Sequence, residues 1–394
     1  MNDASVAIIG AGPAGLIAAE ILSAGGKRVV VYERMPSVAR KFLMAGRGGL
    51  NLTHSEDFER FLSRYRDAAP KLRPILEAFT PNDLIAWANG LGADTFVGSS
   101  GRVFPRAMKA SPLLRAWLSR LANQGIAFRT RATWLGWSED GALRFSENGT
   151  LTTQHAGAAL FALGGASWPR LGADGSWRDA FEARGVEVTP FQPANVGYLV
   201  DWSEHFRSRF AGHALKNIAI RHQARTSLGE AMITAYGIEG GAIYALTSEL
   251  RASAPTSIRI DLRPDLRPQH VTEKLAKAKA GDTLSSMLRK ALSLSPAAIA
   301  LLYENGPPPR DIEQLTNLIK AIPLTLKAPH GIDRAISTAG GVAWSAVDAD
   351  LQLNAVPNTY VAGEMLDWEA PTGGYLLQAC FATGVHAARA ILRR

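Results

Sequence analysis

The chain has 394 residues, a formal net charge of +8 and 47% hydrophobic residues, enough for the cores of two or three domains. Its longest apolar runs, such as residues 156–163, are far shorter than the ~20 residues that span a bilayer. The N-terminus lacks the basic leader of a signal peptide. The single cysteine, Cys380, excludes an internal disulfide and a CxxC redox pair. We therefore expect a soluble cytoplasmic protein with no membrane partner.

The basic residues are dispersed along the chain rather than gathered into runs. This distribution is typical of a solvated, arginine-rich surface and does not support a nucleic-acid-binding tail. The other interpretation of the positive charge is attraction of an anionic partner, such as a phosphate-bearing cofactor, an acidic substrate or RNA.

The first 35 residues have the pattern of a βαβ unit, with an apolar strand at 6–9, a small-residue helix at 14–23 and a second strand at 28–33. Residues 36–55 are glycine-rich and irregular. Helical patterns follow at 72–79, at 81–91, where Thr80 precedes Pro81 as an N-cap, and at 112–124. Residues 101–105 predict a loop or edge strand, and residues 126–163 predict short strands.

The pattern changes after residue 187. Strand-like pieces occur at 196–200, 217–221 and 257–261, and helical periodicity occurs at 270–280, 283–292 and 312–322. Strand and glycine character returns after Ile336. We therefore predict a nucleotide-binding domain made of residues 1–189 and 331–394. It is interrupted by a β-rich region at 190–265 and a helical region at 266–330, which we expect to cover the active site.

The loop after the first strand carries a dinucleotide-binding pattern, and its context makes the pattern informative. Gly10 permits a tight turn, Gly12 lets the backbone approach a pyrophosphate, and Gly15 allows close packing of helix on strand. The pyrophosphate would lie at the positive end of the following helix. Glu33 ends the second strand, where it can accept hydrogen bonds from an adenosine ribose.

The choice between FAD and NAD depends on the far end of the chain. A proline after the second glycine, as in Gly12-Pro13-Ala14-Gly15, is common in FAD-binding loops. Near the C-terminus, a strand ends at Gly363-Glu364, and Thr372-Gly373-Gly374 opens a helix predicted to span 374–392. In FAD enzymes of this layout the acid binds the ribityl chain, and the helix points its N-terminus at the flavin. We predict non-covalently bound FAD.

Together these elements resemble the BaiN/YhiN-like flavoproteins, a family of NAD(P)/FAD-dependent oxidoreductases with aminoacetone-oxidase-like members. The resemblance covers nearly the whole chain. It implies an α/β, Rossmann-type (two-dinucleotide-binding-domain-like) FAD domain with an inserted mixed β-barrel-like region and a small helical subdomain. It rests on residues 10–15, Lys41 with loop 46–51, 101–105 with Lys109-Ala110, Gly164-Gly165, 234–248, 339–342, and Gly363-Glu364 with Thr372-Gly373-Gly374-Tyr375 and Gln378.

Two segments depart from the family pattern. Family members usually read Ser-Gly-Gly-Gly-Arg-Cys-Asn where this chain reads Ala45-Gly46-Arg47-Gly48-Gly49-Leu50-Asn51, so the arginine has moved and the cysteine is absent. Leu376 stands where the family tends to have asparagine. Both segments would lie near the flavin, which indicates a divergent subgroup with its own substrate.

Further candidates for contact with the cofactor or substrate follow from these segments. The glycine-rich loop brings backbone close to a ligand, and the resemblance implies that the backbone at Trp134 touches the adenine. Besides the glycines and acids above, these candidates are Pro13, Ala14, Arg34, Lys41, Arg47, Gly48, Asn51, Trp134, Gly164 and Leu376. The eight histidines show no metal-ligand spacing, so we predict no metal site. Cys380 is expected to be a buried, inert thiol, and no catalytic residue is singled out.

The leading hypothesis is an FAD-dependent oxidoreductase acting on an unidentified small molecule. It is either an oxidase or dehydrogenase of an amine-like substrate or an NAD(P)H-dependent reductase. No second GxGxxG unit is present in the sequence, so NAD(P)H would act only as a transient co-substrate. The alternatives are an FAD-dependent RNA (tRNA)-modifying flavoprotein and a non-catalytic flavin redox sensor. The sequence does not determine the oligomeric state.

Overall fold

The computed structural model of the chain describes residues 5–46, 48–279 and 281–394. It divides into two compact units. Unit 1 comprises residues 1–192 and 336–394, and unit 2 comprises residues 193–335. Among the described residues, no helix combines the length and the apolarity needed to cross a membrane.

Elements are numbered in chain order. The first part of unit 1 contains strands β1 (Ser5–Ile9), β2 (Arg28–Glu33), β3 (Thr53–His54), β4 (Thr95–Val97), β5 (Arg102–Pro105), β6 (Ala127–Thr130), β7 (Ala132–Trp137), β8 (Leu143–Glu147), β9 (Thr150–Gln154), β10 (Ala158–Phe161) and β11 (Val188–Ala194). Its helices are α1 (Pro13–Ala24), α2 (Arg40–Ala45), α3 (Phe58–Leu62), α4 (Ala69–Ala78), α5 (Pro81–Asn89), α6 (Ala110–Asn123) and α7 (Arg178–Glu182).

Unit 2 contains strands β12 (Tyr198–Leu199), β13 (Ala214–His222), β14 (Arg225–Ile233), β15 (Gly237–Glu239), β16 (Thr256–Asp261) and β17 (Ile322–Leu326). Its helices are α8 (Glu204–Phe210), α9 (Gly241–Tyr244), α10 (Thr247–Ser253), α11 (Pro268–Ala276), α12 (Leu284–Leu292), α13 (Pro296–Leu301) and α14 (Ile312–Lys320). Unit 1 is completed by β18 (Ser337–Val342), β19 (Thr359–Val361) and α15 (Tyr375–Leu392).

The centre of unit 1 is a five-stranded sheet in the order β19-β10-β1-β2-β6. The four strand pairs are parallel, and every residue of β1 is buried, as expected for a sheet covered on both faces. Small residues let α15 pack on α1, because a Cβ on Gly384 would lie 2.4 Å from the carbonyl oxygen of Ala14. The sheet and its helices confirm the predicted Rossmann-type α/β fold.

Three smaller sheets complete unit 1: β3-β5-β4, β7-β8-β9 and β11-β18. The segment predicted as a loop or edge strand at 101–105 forms the strand β5, which pairs with both β3 and β4. Trp134 lies on β7 opposite Phe145 of β8. The sheet β7-β8-β9 begins directly after the carboxyl end of β6, one of the main parallel strands.

The strands of unit 2 follow the order β12-β15-β14-β13-β16-β17. The two outer strands approach each other just beyond β17. Leu199 N donates to the carbonyl of Ala328 and Lys327 N donates to that of Leu199, each at 2.9 Å. This closure confirms the predicted β-barrel-like character of the inserted region.

Several helices of unit 2 differ from the predicted ranges. The helix predicted over 270–280 spans Pro268–Ala276, and the one predicted over 283–292 spans Leu284–Leu292. The helix predicted over 312–322 ends at Lys320, because Ile322 begins β17 and pairs with Ile260 of β16. The sequence analysis did not predict α13, which begins after Ser295, whose side chain accepts the Ala298 N–H as an N-cap.

Candidate functional site

A cavity of about 390 Å³ lies in unit 1, at the carboxyl ends of β1, β2 and β10, which is where open α/β sheets bind their ligands. Eleven of the predicted contact residues line it: Gly10, Gly12, Pro13, Ala14, Glu33, Arg34, Lys41, Trp134, Gly164, Gly363 and Glu364. Six do not: Gly15, Gly48, Asn51, Gly373, Gly374 and Leu376. Arg47 lies outside the described residues.

The three glycines of the first loop have different surroundings. A Cβ on Gly10 would lie 2.4 Å from the carbonyl oxygen of Ala162, and one on Gly15 would lie 2.0 Å from that of Gly10. Both positions therefore require glycine for packing. A Cβ on Gly12 would meet no heavy atom within 4 Å. Gly12 is also the N-cap of α1 and provides no side-chain cap, so open space adjoins the unsatisfied N–H groups of the first helical turn.

Glu33 is fixed against this loop by two backbone donors. Its Oε2 accepts the N–H of Ala11 at 3.0 Å, and its Oε1 accepts the N–H of Met35 at 2.8 Å. Burial raises the pKa of the Glu33 carboxyl, and these hydrogen bonds oppose the increase. A carboxylate oxygen has more than one lone pair, so Glu33 retains acceptor capacity toward the cavity.

Arg34 is held at the cavity by an acid that the sequence analysis did not identify. Its Nη1 lies 2.7 Å from Oδ2 of Asp174, and both residues line the cavity. Burial opposes ionisation of Asp174, but hydrogen bonds from Arg34 and Ser176 outweigh it and lower the pKa of that carboxyl. The pair therefore presents a fixed guanidinium rather than a mobile one.

Lys41 and Glu364 form the second charged pair of the cavity. Lys41 Nζ donates to Oε2 of Glu364 and to Oγ of Ser167, both at 2.7 Å. The other carboxylate oxygen of Glu364 accepts the N–H of Thr338 at 2.9 Å. Sequence reasoning missed Ser167 and Thr338. In the sequence, these two residues are marked only by their distance from glycines. Ser167 lies two positions after Gly165, and Thr338 lies two positions before Gly340.

Trp134 contributes to the cavity together with its neighbours Ala132, Thr133 and Leu135. Its indole packs edge-on against Phe161 and Trp137, with centroids 4.8 Å and 4.7 Å away. Its buried Nε1 has no hydrogen-bond partner in the described part of the chain. The indole therefore belongs to an aromatic cluster, while the strand that carries it faces the cavity.

The loop that follows α2 meets the start of α15. Gly373 and Gly374 have φ values of 137° and 95°, and a Cβ on Gly374 would lie 2.5 Å from Cα of Thr53. Two polar atoms of this loop, Oδ1 of Asn51 and Oγ1 of Thr53, are buried and unpartnered among the described residues. Asn51, Gly373, Gly374 and Leu376 thus belong to segments that meet here rather than at the cavity wall.

Cys380 lines the cavity next to Gly363. A Cβ added to Gly363 would lie 3.8 Å from Sγ of Cys380. Burial raises the pKa of the thiol to about 12, with the charge of Glu364 acting in the same direction. The thiol is therefore neutral at physiological pH, which makes it a poor nucleophile.

Residues 4–390 of the chain match the family that is described as HI0933-like protein Rossmann domain. The chain belongs to this family. The predicted resemblance to the BaiN/YhiN-like flavoprotein oxidoreductases is thereby confirmed.

Curated relatives of the chain include the 3-dehydro-bile acid delta(4,6)-reductase of Clostridium scindens. It is 27% identical, and the match covers 99% of each chain. The ribosomal RNA dihydrouridine synthase of Haemophilus influenzae is 24% identical, with 98% of each chain covered.

Two solved structures have a fold similar to that of the chain. A flavocytochrome c3 fumarate reductase has a TM-score of 0.54 and 15% identity, over 99% of this chain and 78% of that chain. The 3-ketosteroid delta1-dehydrogenase of Sterolibacterium denitrificans has a TM-score of 0.53 and 12% identity, over 100% of both chains.

Proposed function

We propose that the protein is an FAD-dependent oxidoreductase that reduces a carbon–carbon double bond conjugated with a carbonyl group. The observation that carries the cofactor assignment is the cavity of unit 1. There the open backbone at Gly12 lies at an uncapped helix start, next to the fixed carboxylate of Glu33. This combination suits a pyrophosphate joined to a ribose.

We assign the cavity and the neighbouring segments to different parts of FAD. The first-turn amides of α1 would donate to the pyrophosphate, and Glu33 would accept a ribose hydroxyl. The backbone around Trp134 would contact the adenine. Glu364, held by Lys41, would accept hydroxyl groups of the ribityl chain. We assign Gly48, Asn51, Gly373, Gly374 and Leu376 to the neighbourhood of the isoalloxazine. Bound FAD would supply the two-electron chemistry that protein side chains lack.

The substrate class is supported by the chemistry that two relatives have in common. The name 3-dehydro-bile acid delta(4,6)-reductase describes reduction of double bonds conjugated with a ketone. The name dihydrouridine synthase describes saturation of a double bond conjugated with a uracil carbonyl. Reduction of either group adds two electrons and two protons across one double bond. The reductase branch of the sequence-based hypothesis is therefore favoured over an amine oxidase.

Anaerobic spectroscopy of the purified protein tests the proposal. We expect the yellow protein to be bleached by NADH or NADPH and to regain its colour when an enone or a uridine compound is added. A protein that is bleached by amines and not by nicotinamides would contradict the reductase assignment. Bleaching without reoxidation by any unsaturated carbonyl compound would instead favour a redox sensor.

RNA remains a second candidate substrate because two observations favour it. The chain carries a net charge of +8, and its relative from Haemophilus influenzae is named for ribosomal RNA. If RNA is the substrate, the affinity for ribosomal RNA will fall steeply with added salt, and free uridine will be a poor substrate. A salt-independent affinity would remove this candidate.

A further inference from the structure

Arg40 is the first residue of α2, and the cofactor assignment above gives it no role. It lines the cavity of unit 1 together with Gly12 and Glu33. Its guanidinium makes one hydrogen bond to the described residues, from Nη1 to Oγ of Ser37 at 3.2 Å. Its Nε is buried and has no acceptor among them. Arg40 therefore has unused donors at the wall of the cavity.

The backbone before Arg40 is joined to the dinucleotide loop. The N–H of Ala39 donates to the carbonyl of Ala11 at 2.9 Å, and the N–H of Ala11 donates to Oε2 of Glu33 at 3.0 Å. Ala11 directly precedes Gly12, the N-cap of α1. These hydrogen bonds hold the start of α2 against the segment to which the pyrophosphate is assigned.

Ala39 has a disfavoured backbone conformation. It is buried and has φ 55° and ψ 31°, in the left-handed region that a residue with a Cβ rarely adopts. Its carbonyl accepts the N–H of Leu43 at 3.0 Å, in the first turn of α2. Strained residues persist where the surrounding structure enforces them, and they concentrate at ligand-binding sites. The strain lies at the position that connects the loop contact to Arg40.

Six charged side chains line the cavity, and two of them have no ionic partner within the described residues. The other four form the pairs Arg34–Asp174 and Lys41–Glu364. Arg40 and Glu33 remain. The Glu33 carboxylate accepts two backbone N–H groups instead of a side-chain cation. The cavity therefore leaves one cation and one carboxylate for a ligand.

These two remaining charges restrict the ligand. A cation would be attracted to Glu33 and repelled by Arg40, whereas a simple anion would be attracted to Arg40 and repelled by Glu33. The hydroxyl groups of a ribose suit the oxygens of Glu33. The planar guanidinium of Arg40 suits phosphate, because it can donate two N–H groups to two phosphate oxygens. A ligand that joins a ribose to a diphosphate satisfies both residues.

We propose that Arg40 binds the diphosphate of the nucleotide in the cavity. Glu33, the first turn of α1 and Arg40 together then recognise the adenosine diphosphate half of the cofactor. The identity of that cofactor as FAD rests on the proposed function, whereas the diphosphate contact rests on the position of Arg40. It follows that the cavity binds ADP without the flavin half.

Isothermal titration calorimetry of the full, flavin-free chain with ADP and with adenosine tests this contact. The variant Arg40→Met removes the guanidinium, and Arg40→Lys keeps the charge without the planar fork. The matched control is Arg115→Met, at an exposed position of α6 in the same unit. Circular dichroism and thermal unfolding show whether each variant is folded.

We expect ADP to bind about 10- to 100-fold more weakly to Arg40→Met than to the wild type, the usual effect of lost charge-assisted hydrogen bonds. Arg40→Lys should recover part of the affinity, and Arg115→Met should bind like the wild type. Adenosine should bind equally to all four proteins. Added potassium chloride should weaken ADP binding less in Arg40→Met, because the screened attraction is absent there.

Three results would overturn the inference. The first is a wild type that binds ADP no more tightly than adenosine. The second is a folded Arg40→Met variant that binds ADP like the wild type. The third is an equal loss of ADP and adenosine affinity in that variant, which would show that Arg40 shapes the cavity without contacting the diphosphate.

Titration of the same proteins with FAD separates this inference from the proposed function. A wild type that binds ADP through Arg40 and does not bind FAD would contradict the FAD assignment and leave the diphosphate contact standing. A wild type that binds FAD, with an Arg40→Met variant that binds FAD and ADP equally well, would do the reverse.

Discussion

The ammonium group of Lys41 lies 2.7 Å from Oε2 of Glu364, and so joins two residues that are 323 positions apart in the chain. Their side chains are 28% and 13% exposed, so solvent screens the pair only in part. Because Thr338 N holds the other carboxylate oxygen, Glu364 has one defined orientation in the cavity. Preorganisation of this kind lowers the cost of binding a ligand.

Replacing Lys41 with methionine tests this relationship. The change removes the charge at nearly the same side-chain length, so Glu364 loses one of its two donors and is held only by the N–H of Thr338. We expect FAD to bind about 10-fold more weakly, as for the loss of a charge-assisted hydrogen bond. Fluorescence titration of the flavin-free protein measures the effect. The exposed Lys71→Met variant is the control, and equal affinities in both variants would refute the role of Lys41.

Replacing Gly12 with alanine should abolish cofactor binding without unfolding the protein. The added methyl group meets no protein atom within 4 Å, so it projects into the space assigned to the pyrophosphate. We expect normal thermal stability and a loss of FAD affinity of at least ~100-fold, since the close backbone approach is blocked. Gly331, which is equally open, provides the control variant Gly331→Ala. Unchanged flavin content in Gly12→Ala would place the pyrophosphate elsewhere.

The raised pKa of Glu33 predicts a pH dependence of stability for the flavin-free protein. Burial favours the protonated form in the folded state, so the folded protein binds this proton more tightly than the unfolded chain. Stability should therefore fall as the pH rises from the ordinary glutamate value, about 4.3, through the raised folded value. Urea unfolding of the wild type and of Glu33→Gln across this window measures the effect. If Glu33 is not the source of the pH dependence, the free energy of unfolding should change with pH equally in the wild type and in Glu33→Gln.

FAD binding should depend on pH in the opposite direction. Only the ionised Glu33 offers a full set of acceptors to the ribose, so affinity should rise as the pH passes its raised pKa. Flavin titrations at matched ionic strength check this. Affinity that is flat with pH in the wild type, or that rises equally in Glu33→Gln, would contradict it.

Glu20 accepts three hydrogen bonds inside unit 1, and we predict that replacing it lowers the stability of the protein. Its carboxylate is 8% exposed and accepts hydrogen bonds from Trp117 Nε1 at 2.7 Å, Trp87 Nε1 at 3.1 Å and Arg120 Nη1 at 2.9 Å. Glu20→Gln should destabilise the protein by about 2–3 kcal/mol, because the amide cannot satisfy all three donors. Denaturant unfolding measures this, with the exposed Glu77→Gln as control. A change below about 0.5 kcal/mol would show that the network is dispensable.

The sequence could predict those parts of the fold and of the cavity whose causes are local. Gly10, Gly12 and Gly15 are required by one turn and one helix start, so their spacing reveals them. Glu33 ends one strand, and Gly363-Glu364 follows another, which places both at the same edge of a parallel sheet.

Contacts between distant segments could not be read in this way. Ser167 reaches Lys41 across 126 positions and Asp174 reaches Arg34 across 140, and neither belongs to a local pattern. Residues 320–322 show the same limit at the level of secondary structure. The apolar spacing that predicts a helix there also suits a strand, and pairing of Ile322 with Ile260 decides the outcome.

The central claim is that the cavity of unit 1 binds FAD, and release of flavin from the purified protein tests it most directly. The protein is loaded with excess FAD, desalted and denatured, and the released flavin is identified by chromatography and quantified against protein. The account predicts close to one FAD per chain in the wild type and in Gly331→Ala, and none in Gly12→Ala. A wild-type protein that retains no FAD, or a Gly12→Ala protein that retains as much as the wild type, would contradict it.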